Sequence, residues 1–253
     1  MKRFINIYFR GSRLVAQYQM TSRILFIQSV LHLFFPHVCC GCGSDLLTEN
    51  ILFCIHCQSS MPITQYEYFT ENPIEKIFWG RVQIHSAAAH LYFTGGSQVQ
   101  HSLHLLKYKG KKEIGTYFGQ QMGESLKRSS RFNDCEIIVP LPLFASREKK
   151  RGYNQASLIA NGVSKKLKIP VVIDAIARIK KTETQTHKSR IQRWKNMEST
   201  FEVRDPLKIS GKHVLLVDDV VTTGASLEAC AQVLLDIPGV KVSIACLAHT
   251  VAS

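Results

Sequence analysis

The segment Val214–Ser226, VLLVDDVVTTGAS, constrains the fold of this chain more tightly than any other stretch. Val214–Val217 is a run of four apolar residues and reads as a buried strand. Ala225–Leu235 has the spacing of a helix. A strand that feeds a helix through a tight loop is the repeating unit of an α/β sheet, and loops at the carboxyl ends of such strands face ligand. The composition of the loop fits an anion. Gly224 has no Cβ, so backbone can approach a bound group closely. Thr222, Thr223 and Ser226 place hydroxyls beside the free N–H groups of the new helix, whose dipole favours phosphate. Asp218 and Asp219 are repelled by phosphate and suit the hydroxyls of a ribose. The competing reading is a strand end followed by a polar turn.

The rest of the chain repeats the pattern. Glu136–Pro140 and Lys241–Ala248 read as strands. Ser102–Lys107, Ile114–Leu126 and Asn154–Leu167 read as helices. The alternation predicts an α/β fold, a mostly parallel sheet flanked by helices. Ser60–Gln98 shows no clear period; Phe78, Trp79, Ala87–Ala89 and Tyr92 are expected to pack, and His85 and His90 to be ordinary polar or packed residues. Thr182–Asn196 is polar, basic and poor in core residues, as in a mobile loop or surface helix.

Cys39, Cys42, Cys54 and Cys57 form two CxxC knuckles separated by eleven residues. Four thiolates at this spacing complete a tetrahedron around one structural Zn2+ with no open position. An iron–sulfur centre or a redox pair is the alternative. Cys40 is spare, and Cys135, Cys230 and Cys246 read as buried thiols. Eight cysteines in 253 residues are too few for a disulfide scaffold. The pattern fits a reducing compartment, and a cytoplasmic location is expected.

The formal charge is +13. One Zn2+ on four thiolates nets −2 and leaves most of that excess, which points to anionic partners: phosphates, single-stranded DNA or acidic lipid. After VPLPL (139–143) come Arg147, Lys149, Lys150 and Arg151, then Tyr153, an aromatic beside cations that could stack on a base. A cationic loop after one strand, facing a phosphate loop after another, suits a ligand with phosphate at both ends. Arg178–Asn196 adds further cations. Near the start, Ile24–Phe35 has helical apolar spacing, but twelve residues cannot span a bilayer, so no transmembrane segment is expected. Met20 is an alternative start to Met1.

VLLVDDVVTTGAS resembles the phosphoribosyl-diphosphate (PRPP) binding motif of type I phosphoribosyltransferases. A wider resemblance runs from about Cys39 to the C-terminus: CxxC…CxxC, LLKYKG, PLPLFASREKKRGYNQA, RxxxTxxQ and VDDVVTTGAS are similar to the ComF family, in which a zinc-ribbon-like module precedes a phosphoribosyltransferase domain. The resemblance implies four regions: an extension over 1–35, the cysteine module over 36–62, a connecting segment over 63–100, and a phosphoribosyltransferase-like domain over 101–253. It implies that Asp218 and Asp219 hold the ribose hydroxyls. Val221, Thr222, Thr223, Gly224, Ala225 and Ser226 then wrap the 5′-phosphate. Arg147 and Arg151 complete the electrostatic frame with Mg2+ and PRPP, and a lid spans about 180–195. No acceptor pocket is legible. Three functions follow: a phosphoribosyltransferase, a silent single-stranded nucleic-acid-binding module for DNA uptake, or a PRPP-sensing regulator. Competence or DNA-processing proteins are the implied partners.

Overall fold

The computed structural model describes residues 37–45, 51–179 and 200–251. Ile24–Phe35, both candidate starts and Thr182–Asn196 lie outside the described residues. The chain divides into two compact units, Met1–Ile55 and His56–Ser253.

The second unit is built on a parallel sheet of four strands in the order β1 (Ser86–Phe93), β6 (Lys241–Thr250), β5 (His213–Val221) and β2 (Ile137–Pro140). Strands covered on both faces need near-continuous apolar runs. Val214–Val217 and Val242–Ala248 supply them, all buried. β3 (Ile176–Arg178) and β4 (Phe201–Val203) form a separate antiparallel pair.

The edge strand β1 comes from the stretch in which no period was legible. Its first half, Ser-Ala-Ala-Ala, is poor in the branched residues that mark strands. Asn72 fixes the approach to it. Its side chain caps α2 (Pro73–Phe78) by accepting from the N–H of Ile74 at 2.9 Å, and donates to the Ala87 carbonyl at 2.8 Å. The packing expected of Trp79 is absent: its neighbour Phe78 is buried, while Trp79 is 57% exposed.

On one side lie α3 (Gln98–Tyr108), α4 (Glu113–Arg128) and α6 (Gln155–Leu167). α4 and α6 meet through glycines. A Cβ on Gly162 would lie 2.5 Å from the Thr116 carbonyl oxygen, and one on Gly123 2.9 Å from the Cα of Val163. Each helical glycine costs about 1 kcal/mol relative to alanine, and what it allows is backbone-to-backbone approach. The expected Asn154–Leu167 helix begins one residue later, because Asn154 is its cap: it accepts from the Ala156 N–H at 3.0 Å and donates to the Leu141 carbonyl at 3.0 Å. Among the described residues the other α-helices are α1 (Ile55–Ser59), α5 (Ala145–Arg151) and α7 (Ala225–Leu235).

Candidate functional site at the carboxyl edge of the sheet

β5 runs to Val221, four residues beyond the apolar run, so Asp218 and Asp219 are strand residues. Successive side chains on a strand point to opposite faces, and each acid has its own surroundings. Asp219, 5% exposed, meets the Lys107 ammonium of α3 at 2.7 Å. Asp218 lies among Arg178 and the buried thiols of Cys230 and Cys246. Burial pushes its carboxyl up to about 8, and the neighbouring Asp219 adds to the rise. The Asp219 N–H, which donates to Asp218 Oδ1 at 2.7 Å, opposes it together with Lys107 and Arg178. The Asp218 carboxyl therefore holds its proton more tightly than an ordinary aspartate.

The turn after β5 leads into α7. Gly224 stands at the helix cap with φ of 73°, no side chain caps the helix, and the Glu228 N–H closes the first turn on the Gly224 carbonyl at 2.8 Å. A Cβ at Gly224 would lie 2.6 Å from Ile77 Cγ2 and 3.1 Å from the Phe78 ring. Glycine is thus required by backbone geometry and by α2, in addition to any ligand.

The sequence groups Arg178 with the cationic stretch 178–196. The structure places it on β3, in register with Phe201. Its guanidinium lies over the Phe144 ring at 4.4 Å and the Phe201 ring at 5.2 Å, and it donates to Ser226 Oγ at 3.3 Å. Burial lowers its pKa, as does Arg147, while Asp218 opposes them. Arg178 therefore joins β3, the acidic pair and the start of α7. Only a cation next to a short apolar triplet hinted at this role.

The basic run after β2 is the helix α5 rather than a loop. Arg147 lies over Phe144 at 5.9 Å; Arg151 reaches Gln155 and lies 5.8 Å from the Tyr108 ring. Tyr153, expected as a stacking residue, donates its hydroxyl to the Leu106 carbonyl, and Lys112 lies over its ring at 5.0 Å. The open aromatic is Tyr108, 68% exposed. A cleft of about 470 Å³ is lined by Lys107, Tyr108, Gly110, Arg147, Lys150, Arg151 and Tyr153, with no carboxylate among them. KYKG and REKKRGY, forty residues apart in the chain, thus meet in one cationic surface.

The ligand atoms of Cys39, Cys42, Cys54 and Cys57 lie within 4.8 Å of one another. The Cys42 and Cys54 sulfurs are 3.8 Å apart, which matches the edge of a tetrahedron with metal–sulfur bonds of about 2.3 Å. Cys39 Sγ accepts from the N–H of Gly41 at 3.4 Å and of Cys54 at 3.2 Å. Burial raises its pKa, but the backbone donors prevail and hold it at about 6. The cluster is built for thiolate and can hold a metal. Cys135, Cys230 and Cys246 are buried, as expected. No helix among the described residues is long and apolar enough to cross a membrane.

A parallel sheet with an acidic pair and a Thr-Thr-Gly turn at its carboxyl edge defines the class, and residues 154–252 match the phosphoribosyl transferase domain. The chain is 30% identical over 151 residues to the DNA utilization protein YhgH of Escherichia coli (strain K12), covering 58% of this chain and 66% of that protein. It is 36% identical over 109 residues to Competence protein F of Haemophilus influenzae (43% and 48%), and 29% identical over 145 residues to Competence protein ComFC of Bacillus subtilis (57% and 56%). The chain belongs to the ComF family, with a phosphoribosyl transferase domain and an N-terminal four-cysteine cluster able to bind a metal. The matches span 48–66% of the length of these curated relatives.

Proposed function

We propose that this chain binds PRPP or a related phosphoribosyl compound at the carboxyl edge of its sheet. The observation that carries this is the segregation of charge around β5. Asp218 and Asp219 lie near the end of β5, Lys107 pairs with Asp219, and Arg178, beside Asp218 and with Arg147 near it, donates to Ser226 at the start of α7. A ribose bearing phosphates at both ends needs that order. Its hydroxyls meet the carboxyls, its 5′-phosphate meets Val221–Ser226, and its diphosphate meets cations. Arg147 and Arg151 supply fixed positive charge, and Mg2+ carried in with the diphosphate neutralises the remainder. The same frame stabilises charge developing on a departing diphosphate, which is what transfer of the phosphoribosyl group requires. The metal proposed for the four cysteines is structural Zn2+. Diphosphate release from PRPP and Mg2+, assayed over a panel of nucleobases, tests transfer. Binding without release for every acceptor would reduce the site to a sensor of PRPP.

A second reading has its own observation. The cleft between α3 and α5 has four cations, an exposed Tyr108 and no lining carboxylate, which suits the backbone and bases of single-stranded DNA. Relatives named for DNA utilization and competence point the same way. This binding should weaken steeply with salt as counterions are released. An affinity that is unchanged between low and high salt, or no binding at low salt, would rule out this reading.

A further inference from the structure

The phosphate turn at residues 222–226 must hold its amides outward without a side-chain cap on α7. Arg81, just beyond α2, reaches it from outside. Its Nη1 donates to the Ile77 carbonyl at 3.1 Å and to the Thr223 carbonyl at 2.9 Å, and its Nη2 pairs with Glu228 in the first turn of α7. We propose that Arg81 is the positioning residue of the 5′-phosphate turn: it fixes the Thr223–Gly224 peptide and neutralises Glu228. The inference rests on the phosphoribosyl reading above.

Two physical arguments support it. In a trans peptide the C=O and the following N–H point in opposite directions. Binding the Thr223 carbonyl to Arg81 therefore turns the Gly224 N–H away from Arg81, toward the side proposed for phosphate. Ile77 and Phe78 back the same turn by filling the space beside Gly224. The second argument is charge. A carboxylate in the first turn of a helix competes with a bound phosphate for the same positive end, and Glu228 is such a carboxylate. Its partner Arg81 offsets that repulsion. The side chains of the pair are 38% and 30% exposed, and exposed pairs add little to stability. The effect of Arg81 should therefore appear in ligand affinity rather than in folding.

The test measures calorimetric affinity for ribose 5-phosphate, with thermal unfolding as the check on structure. The proteins are wild type, Arg81→Ala, Arg81→Lys and the double variant Arg81→Ala/Glu228→Gln. Arg81→Ala should bind about tenfold more weakly or worse, with Arg81→Lys intermediate. The double variant should recover part of the loss, because removing the carboxylate removes the repulsion; a purely structural role predicts no such rescue. An Arg81→Ala protein that binds as tightly as wild type overturns the proposal and leaves the phosphate site standing. A wild type with no affinity for ribose 5-phosphate overturns both. Should Arg81→Ala fail to fold, Arg81→Lys decides: weaker binding by a folded protein supports the role, and unchanged binding overturns it.

Discussion

Asp218 shows how far a residue's neighbours can move its chemistry. Ordinary aspartate ionises near pH 4, whereas burial and Asp219 push Asp218 up to about 8. Between these values the folded chain binds a proton that the unfolded chain has released, so this group's contribution to stability falls as pH rises through that window and levels off above it. Asp218→Asn removes the cost. We predict that this variant is more stable than wild type at pH 7, by about 1–3 kcal/mol, and that the gain disappears toward pH 4. Denaturant unfolding at several pH values checks it; an equal or lower stability at pH 7 would show that ionised Asp218 is well compensated. Gly224 carries a different lesson. Its sequence context suggested room for an anion, while its φ of 73° and the contacts of Ile77 and Phe78 already demand glycine. A bulky substitution there strains the turn, so lost binding in such a variant does not locate the ligand.

At the level of elements, the parts legible in the sequence were those with one dominant local cause. Val214–Val217 and Ala225–Leu235 were readable from apolar run and helical period. β5 proved longer because β6 extends its pairing through Val221, opposite His249, while β2 pairs with it only as far as Val217. β1 was hidden because its alanines gain their place from β6 and Asn72 rather than from strand propensity. Arg178 was misgrouped for the same reason: its fixed position depends on Phe144 and Phe201, one far away in the chain. The crossing of α4 and α6 was equally invisible, since glycines in a helix normally signal weakness. It gives a sharp prediction. Gly162→Ala should raise helix propensity by about 1 kcal/mol yet destabilise the protein by roughly 1–3 kcal/mol, because the new methyl meets the Thr116 carbonyl. A stabilised variant in equilibrium unfolding would mean that the two helices separate at little cost.

For the whole molecule, the cysteine cluster and the sheet make separate demands on the chain. The paired knuckles were legible because metal geometry is encoded in spacing alone, and the four sulfurs do converge. Elemental analysis of reduced protein should find one zinc per chain, and Cys54→Ser should lose it while the far-ultraviolet signature and unfolding of the α/β core persist. Loss of the core together with the metal would contradict their independence. The charge of +13 was equally plain from composition, but its concentration between α3 and α5 was not, because that cleft depends on how the sheet brings two distant segments together.

The central claim concerns the acidic pair and the turn beside it, and calorimetry with PRPP and Mg2+ tests it most directly, on wild type and on the Asp218→Asn/Asp219→Asn double variant. Hydrogen bonds to charged groups contribute about 1.5–3 kcal/mol each. Wild type should therefore bind saturably, and the folded double variant should bind about a hundredfold more weakly. Equal affinities would place the ligand elsewhere, and no binding by wild type at millimolar PRPP would contradict the phosphoribosyl reading itself.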